Sequence, residues 1–232
     1  MTTATTVIEQ LEVLAMPDEL PKVRRRLSDS EPAFGLRMRD LFHTAKAHTD
    51  LELAQVDRLL EHPAYEPRMT AFCILDFKAR RKLDDEQRRE LCQFYLDRHD
   101  RITTWDMVDR AAPRVLGGWV VRGPYDLLYE LANATDPLRR RSAITAPLFF
   151  IRGGTAEDLE VGFDLAEHLV TDAEPVVHNA VGIFLKHAGS RTPERLHEFL
   201  STHASGMPRA GLRLAIAKLD SAQRKNYLER SK

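Results

Sequence analysis

Apolar residues recur at three- and four-residue spacing along almost the whole chain, and this pattern limits the fold more than any other feature. It is clear, for example, in residues 51–60, 91–95 and 159–169. Such spacing places apolar side chains on one face of a helix. Strand-like alternation is almost absent, since residues 119–121 are too short a stretch to form a strand. The sequence therefore predicts an all-α protein.

Capping residues, prolines and glycines divide the chain into predicted helices. We place them at 4–15, 18–29, 36–48, 50–61, 64–80, 85–98, 104–116, 124–134, 137–152, 156–170, 174–188, 192–204, 208–219 and 221–230. Capping boxes are predicted at Thr49–Glu52, Thr103–Asp106 and Thr155–Asp158. From residue 36 the helices pair at intervals of roughly 30–45 residues, which suits HEAT-like two-helix repeats. An irregular helical domain is the alternative that this spacing leaves open.

Length and charge restrict the function. The 232 residues suit one domain, and 34 Lys and Arg against 35 Asp and Glu leave a net charge of −1. Nucleic-acid-binding domains are usually basic, so DNA binding would require segregation of the cations to one face. The N-terminus shows no secretory signal and residues 143–151 are too short an apolar run for a membrane helix, so we expect a cytoplasmic, monomeric protein.

Motifs for cofactor or metal chemistry are absent from the sequence. It has no phosphate-binding glycine loop, no nucleophile elbow, and no metal-ligand spacing among its nine histidines. Cys73 and Cys92 stand alone in apolar helical positions, so we expect two buried thiols. We therefore expect neither a cofactor nor a metal.

Two groups of residues remain as candidates for chemistry. Trp105 and Asp109 are four apart at a helix start, so they share a face that could stack on a sugar or base beside a negative charge. A partly buried Trp with a solvated Asp is the alternative. Arg141 falls on an otherwise apolar flank, where its charge needs either a carboxylate partner or an anion such as phosphate.

Basic residues also recur near the ends of the predicted repeats, where they could follow a phosphate backbone or simply form a solvated surface. They are Lys22, Arg24, Arg25, Arg26, Arg37, Arg39, Lys78, Arg80, Arg81, Lys82, Arg152, Lys186, Arg191, Arg209, Arg213 and Lys218.

Several segments together resemble the AlkD-type DNA alkylation repair family, in order, from about residue 34 to 230. The matching stretches are residues 34–37, 66–69, 104–109 with 116–117, 140–144, 180–182 and 207–213, of which Trp-Asp-x-Val-Asp and Met-Pro-Arg-x-x-Leu-Arg are the most specific. The resemblance implies a right-handed superhelical solenoid of HEAT-like repeats, one domain over 1–232 with capping helices in 1–33. It also implies a concave face that binds double-stranded DNA.

The resemblance also implies roles for individual residues. Trp105 would contact the deoxyribose, and Asp109 would carry the chemistry by which the family hydrolyses the N-glycosidic bond of N3- and N7-alkylated purines. Arg141 would grip the DNA backbone. The remaining DNA-binding candidates are Arg140, Arg37, Lys186, Arg209, Arg213 and Ile183.

Two positions depart from the family pattern. Ile183 and Leu138 stand where active members often carry Trp, and this loss of aromatic faces weakens recognition of a cationic base. The leading hypothesis is therefore a DNA glycosylase of weak or altered scope. The alternatives are a non-catalytic member that binds damaged, bent or branched DNA, and a helical-repeat scaffold for protein partners.

Overall fold

The computed structural model describes residues 2–230, and every regular element within that range is helical. The all-α fold predicted from the apolar spacing is confirmed. The chain divides between Val115 and Leu116 into two compact units, which we call the N-terminal and C-terminal units.

The N-terminal unit contains helices α1 (Ala4–Val13), α2 (Leu20–Arg24), α3 (Met38–Ala47), α4 (Leu53–Leu60), α5 (Tyr65–Ala79), α6 (Asp85–Asp97) and α7 (Trp105–Val115). The C-terminal unit contains α8 (Gly117–Val120), α9 (Asp126–Ala132), α10 (Pro137–Thr145), α11 (Phe150–Gly153), α12 (Ala156–His168), α13 (Pro175–Ala188), α14 (Pro193–His203), α15 (Arg209–Ala215) and α16 (Ser221–Arg230). Short 3-10 turns lie at Pro17–Glu19, His99–Arg101 and Ala146–Leu148.

Within each unit, alternate helices pack side by side. In the N-terminal unit, α5 lies between α3 and α7, and it is buried along most of its length. In the C-terminal unit, α13 lies between α10 and α15, while α12 packs against both α10 and α13. Helical-repeat proteins build a continuous core from layers of this kind.

The predicted helices are all present, but most are shorter than expected; the segment 208–219, for example, is α-helical only over Arg209–Ala215. The segment 137–152 is divided into α10, a 3-10 turn and α11, because Pro147 lies within it and has no N–H to continue a helical ladder. The segment 18–29 is α-helical only over Leu20–Arg24. Helix α8 was not predicted.

The predicted capping boxes have different outcomes. Thr155 and Asp158 form the predicted box at the start of α12. The prediction at Thr49 is wrong: its hydroxyl donates to the carbonyl of Lys46, 2.8 Å away, at the end of α3. Asp84 and Gln87 form a box that starts α6 and that we did not predict, although the sequence carries its spacing.

Candidate active site and nucleic-acid interface

The first turns of α7 carry the aromatic residue and the carboxylate selected from the sequence. Trp105 is 47% exposed although its side chain is large and apolar, and Asp109 is half-buried one turn later. Residues four apart on a helix are neighbours on one face. Met107 and Val108 point into the core instead. The structure therefore places an aromatic ring and a carboxylate together at an accessible surface.

Asp106, between these two residues, anchors the start of α7. Its Oδ2 accepts hydrogen bonds from Tyr65 Oη and Arg26 Nη1, each 2.7 Å away, and its Oδ1 accepts one from Thr104 Oγ1 at 2.5 Å. Burial, followed by the charge of Asp106, raises the pKa of Tyr65 and keeps the phenol a donor. Asp106 thus ties α7 to α5 and to the loop after α2.

The predicted capping box at Thr103 and Asp106 is wrong. Thr103 Oγ1 donates instead to Glu31 Oε1, 2.9 Å away. The carboxylate of Asp106 contacts Thr104, Tyr65 and Arg26, as described above. A buried carboxylate is stabilised by several donors at once, and here Tyr65, Arg26 and the neighbouring Thr104 hydroxyl supply them.

The stretches at 34–37 and 66–69, which carry part of the family resemblance, meet in the N-terminal unit. The fully buried Glu66 accepts from the backbone N–H of Phe34 and Gly35 at 2.8 Å, and of Leu36 at 3.3 Å. Gly35 has φ +87°, and a Cβ there would lie 2.8 Å from a backbone oxygen. These residues therefore shape the loop before α3, a role that we did not assign from the sequence.

Arg37 follows this loop and precedes α3. Its Nε lies 3.1 Å from Glu19 Oε1, and the side chain is 40% exposed. The hydrogen bond from Lys22, then that from Arg37, lowers the pKa of Glu19. Arg37 is thus paired with Glu19, yet enough of its side chain is exposed for a phosphate to reach it.

The two candidate arginines of α10 both contact other parts of the C-terminal unit. Arg140 binds Asp172 through Nε and Nη2, at 2.6 and 3.2 Å, and this hydrogen bonding raises the pKa of Arg140. Arg141 is only 3% exposed, and its Nη1 donates to the carbonyl of Val176 at the start of α13. Both residues therefore help to fix α10 within the fold.

The stretches at 180–182 and 207–213 form a close contact between α13 and α15. A Cβ on Gly182 would lie 2.3 Å from the carbonyl oxygen of Gly211, and a Cβ on Gly211 would lie 2.6 Å from that of His178. Only glycine permits this backbone approach. Ile183, the next residue, is half-buried.

Lys186 belongs to a basic group near the end of α13. Burial lowers the pKa of the adjacent His187, and the positive charges of Lys186, Lys218 and Arg152 lower it further. These four residues come from α13, α11 and the chain after α15. The group is a local concentration of positive charge in a chain that is neutral on average.

Arg209 and Arg213 are both exposed on α15, one turn apart. They line a cavity of about 510 Å³ together with Arg224 and Lys225 of α16. Arg209 Nη1 also donates to the carbonyl of Leu228, 3.1 Å away. This cavity is the second concentration of cations in the C-terminal unit.

Several other basic residues from the predicted set are engaged within the fold. The carboxylate pairs are Lys22–Glu19, Arg26–Asp106, Arg39–Asp40, Arg80–Asp76 and Arg81–Asp50, while Arg24 and Arg191 donate to backbone carbonyls. Part of the basic surface expected from composition therefore serves internal contacts.

The side of the N-terminal unit formed by α4 and α6 has the opposite character. A cavity of about 650 Å³ there is lined by four carboxylates, two arginines and the apolar side chains of Leu53, Ala54 and Phe94. The carboxylates belong to Asp57, Glu86, Glu90 and Asp97. Its charge makes this cavity a poor surface for a nucleic acid.

Cys73 and Cys92 are buried free thiols, as predicted, and burial raises the pKa of each to about 12. Among residues 2–230, no cluster of three or more His, Cys, Asp or Glu side chains could hold a metal ion. In the same range, no helix combines the length and apolar character that crossing a membrane requires.

Solved structures of other proteins share the fold of this chain. The chain shares its fold with a structure described as a predicted DNA alkylation repair enzyme from Enterococcus faecalis, at 14% identity and a TM-score of 0.67, covering 89% of this chain and 97% of that one. The protein smu.31 from Streptococcus mutans UA159 is also similar, at 14% identity and a TM-score of 0.54, covering 84% and 91%. None of the curated proteins compared with the chain matches it.

Over residues 2–230 the fold defines a protein built of packed helices. The family model for DNA alkylation repair enzymes matches residues 7–219, nearly the whole chain. The chain belongs to the DNA alkylation repair enzyme family.

Proposed function

We propose that this protein binds double-stranded DNA and hydrolyses the N-glycosidic bond of purines alkylated at N3 or N7. The observation that carries the proposal is the pair on α7: Trp105 is nearly half exposed beside Asp109, on a helix start that the buried Asp106 holds in place. An exposed Trp in such a position costs solvation free energy unless a ligand covers it.

The chemistry of the lesion suits these two side chains. A purine alkylated at N3 or N7 is cationic and leaves without a general acid. Cleavage develops positive charge on the sugar, which a carboxylate at Asp109 stabilises while it orients the attacking water. The ring of Trp105 packs against the deoxyribose and favours the same cationic centre. Removal of the base then requires no deep pocket, unlike enzymes that flip the base out of the duplex.

In this proposal, each unit contributes basic residues that contact the DNA backbone. Phosphate contacts come from the exposed Arg209 and Arg213, from Lys186, and from Arg37. Arg140 and Arg141 contribute to DNA binding in this proposal by holding α10 in place, and Ile183 lies against the damaged nucleotide.

Base release tests the catalytic part of this proposal. Asp109→Asn is nearly isosteric but removes the negative charge, so we expect release of 7-methylguanine and 3-methyladenine from methylated DNA to fall about 100-fold. Asp126→Asn, at an exposed carboxylate in the first turn of α9, is the control and retains wild-type release. Absence of release by excess wild-type protein would contradict the glycosylase assignment.

The second candidate function is DNA binding without catalysis. It is favoured by Ile183 and Leu138, two half-buried aliphatic residues at positions where the family resemblance implies Trp. In that case the wild type binds duplex DNA with steep salt dependence but releases no base. Arg141→Ala weakens binding under either function, whereas binding that is insensitive to salt would favour a protein scaffold.

A further inference from the structure

A buried carboxylate in the N-terminal unit holds three arginines at once. Asp76 on α5 has no exposed surface. Its Oδ2 lies 2.8 Å from Arg80 Nη2 and 2.8 Å from Arg110 Nη2, and its Oδ1 lies 3.3 Å from Arg114 Nη1. We call these four residues the Asp76 cluster. It joins the end of α5 to the second half of α7.

The cluster has an excess of positive charge. Three guanidinium groups face one carboxylate, and Asp76 is the one acidic partner within salt-bridge distance of any of them in the part of the chain that the structure describes. The side chains of Arg80 and Arg114 are 40% and 39% exposed, so the excess charge is open to solvent. An anion that enters there would meet two uncompensated charges.

Aromatic rings hold the arginines in fixed planes. The guanidinium of Arg110 lies 4.1 Å from the ring centre of Phe42 and 4.9 Å from that of Phe77, and Arg80 lies 5.0 Å from Phe77. Stacking of this kind fixes the orientation of the guanidinium groups before a ligand arrives. The order of the cluster reduces the entropy lost when an anion binds.

We propose that the Asp76 cluster is a phosphate-binding site, and that it holds one backbone phosphate of the DNA strand next to the α7 site. This inference rests on the proposed function. Planar guanidinium groups match the geometry of phosphate oxygens, and Asp76 orients them without neutralising all their charge. Arg114 follows Asp109 by five residues, about 7.5 Å along the helix axis and about 140° around it. Both side chains lie on the part of α7 that is not buried in the core, so a short DNA segment that covers this face reaches both.

Salt-dependent binding of duplex DNA tests the site. We expect Arg114→Gln to lower the affinity roughly three- to tenfold and to reduce the slope of log K against log salt by about 0.9, the value for one phosphate contact. Arg114→Lys retains the charge and most of the slope. Arg89→Gln is the matched control, because Arg89 is exposed on α6 and pairs with Glu86 there. The melting temperature of each variant is compared with that of the wild type. An unchanged value shows that the fold around Asp76 and its remaining partners is retained.

Each outcome decides between specific alternatives. If the wild type binds DNA and neither Arg114→Gln nor the double variant Arg80→Gln/Arg114→Gln changes the slope, the inference is overturned while the proposed function stands. If the wild type does not bind duplex DNA, the proposed function fails and the inference fails with it. If inorganic phosphate raises the melting temperature of the wild type but not of the double variant, and the DNA slope is unaffected, the site binds free phosphate and the DNA assignment is wrong.

Discussion

The two units bring their helices together in different ways. In the N-terminal unit, the buried carboxylates of Glu66, Asp76 and Asp106 each accept contacts from at least two neighbouring groups. In the C-terminal unit, α13 and α15 approach through Gly182 and Gly211, whose backbones nearly touch. The C-terminal unit also contains a buried carboxylate, Asp158, which accepts from Arg122 N–H and Tyr125 Oη, but it brings α13 and α15 together through the absence of side chains.

This difference affects where each unit can place functional groups. A buried carboxylate with several donors fixes the orientation of its partners, because an unpaired charge inside the protein costs several kcal/mol, on the order of 3–5. The N-terminal unit accordingly positions Trp105 and Asp109 beside such an anchor. Close glycine contacts leave cations on the outside of the helices, and the C-terminal unit presents Lys186, Arg209 and Arg213 in that way.

The largest stability effect that we predict is at the glycine contact. Gly182→Ala places a methyl group 2.3 Å from the carbonyl oxygen of Gly211, so α13 and α15 must separate. We expect the free energy of unfolding to fall by about 3 kcal/mol, measured by urea titration. Gly206→Ala is the control, since its Cβ would meet no atom closer than 3.8 Å. If both substitutions lower the free energy of unfolding equally, the close contact between α13 and α15 at Gly182 is not a special feature of the C-terminal unit.

The corresponding change in the N-terminal unit is Asp106→Asn. The amide keeps the size of the side chain but removes the charge that pairs with Arg26, 2.7 Å away. We expect a loss of about 2 kcal/mol in the free energy of unfolding. The loss is measured by tryptophan fluorescence in a Trp119→Phe background. This substitution leaves Trp105, on α7, as the tryptophan that reports unfolding. If the stability of the variant is unchanged, the anchoring role of Asp106 is wrong.

Local features of this molecule could be read from the sequence. The apolar spacing predicted every helical segment except α8, and the Thr155–Asp158 box starts α12 as expected. The pairing of Trp105 with Asp109 on one face followed from four-residue spacing on a helix. Each of these depends on residues within one or two turns of each other.

The contacts that anchor the site depend on distant parts of the chain. Asp106 binds Tyr65 and Arg26, which are 41 and 80 residues away, and no local pattern pairs them. Its spacing from Thr103 matches a capping box, which led to the wrong prediction there. Of the three partners of Asp76, Arg80 is only four residues away, whereas Arg110 and Arg114 become visible only when α5 packs against α7.

The smallest effect that we predict tests whether the C-terminal unit contributes to recognition of the lesion. Ile183→Trp restores an aromatic face to the half-buried position that follows Gly182 on α13. A cation–π contact of about 0.5–2 kcal/mol would raise release of 7-methylguanine roughly 2- to 30-fold. Ile151→Trp, at another half-buried isoleucine of the same unit, is the control and leaves release unchanged. Equal gains from both variants would indicate a nonspecific effect of added aromatic surface. A gain confined to Ile183→Trp would support the proposal that the side chain at position 183 lies against the damaged nucleotide.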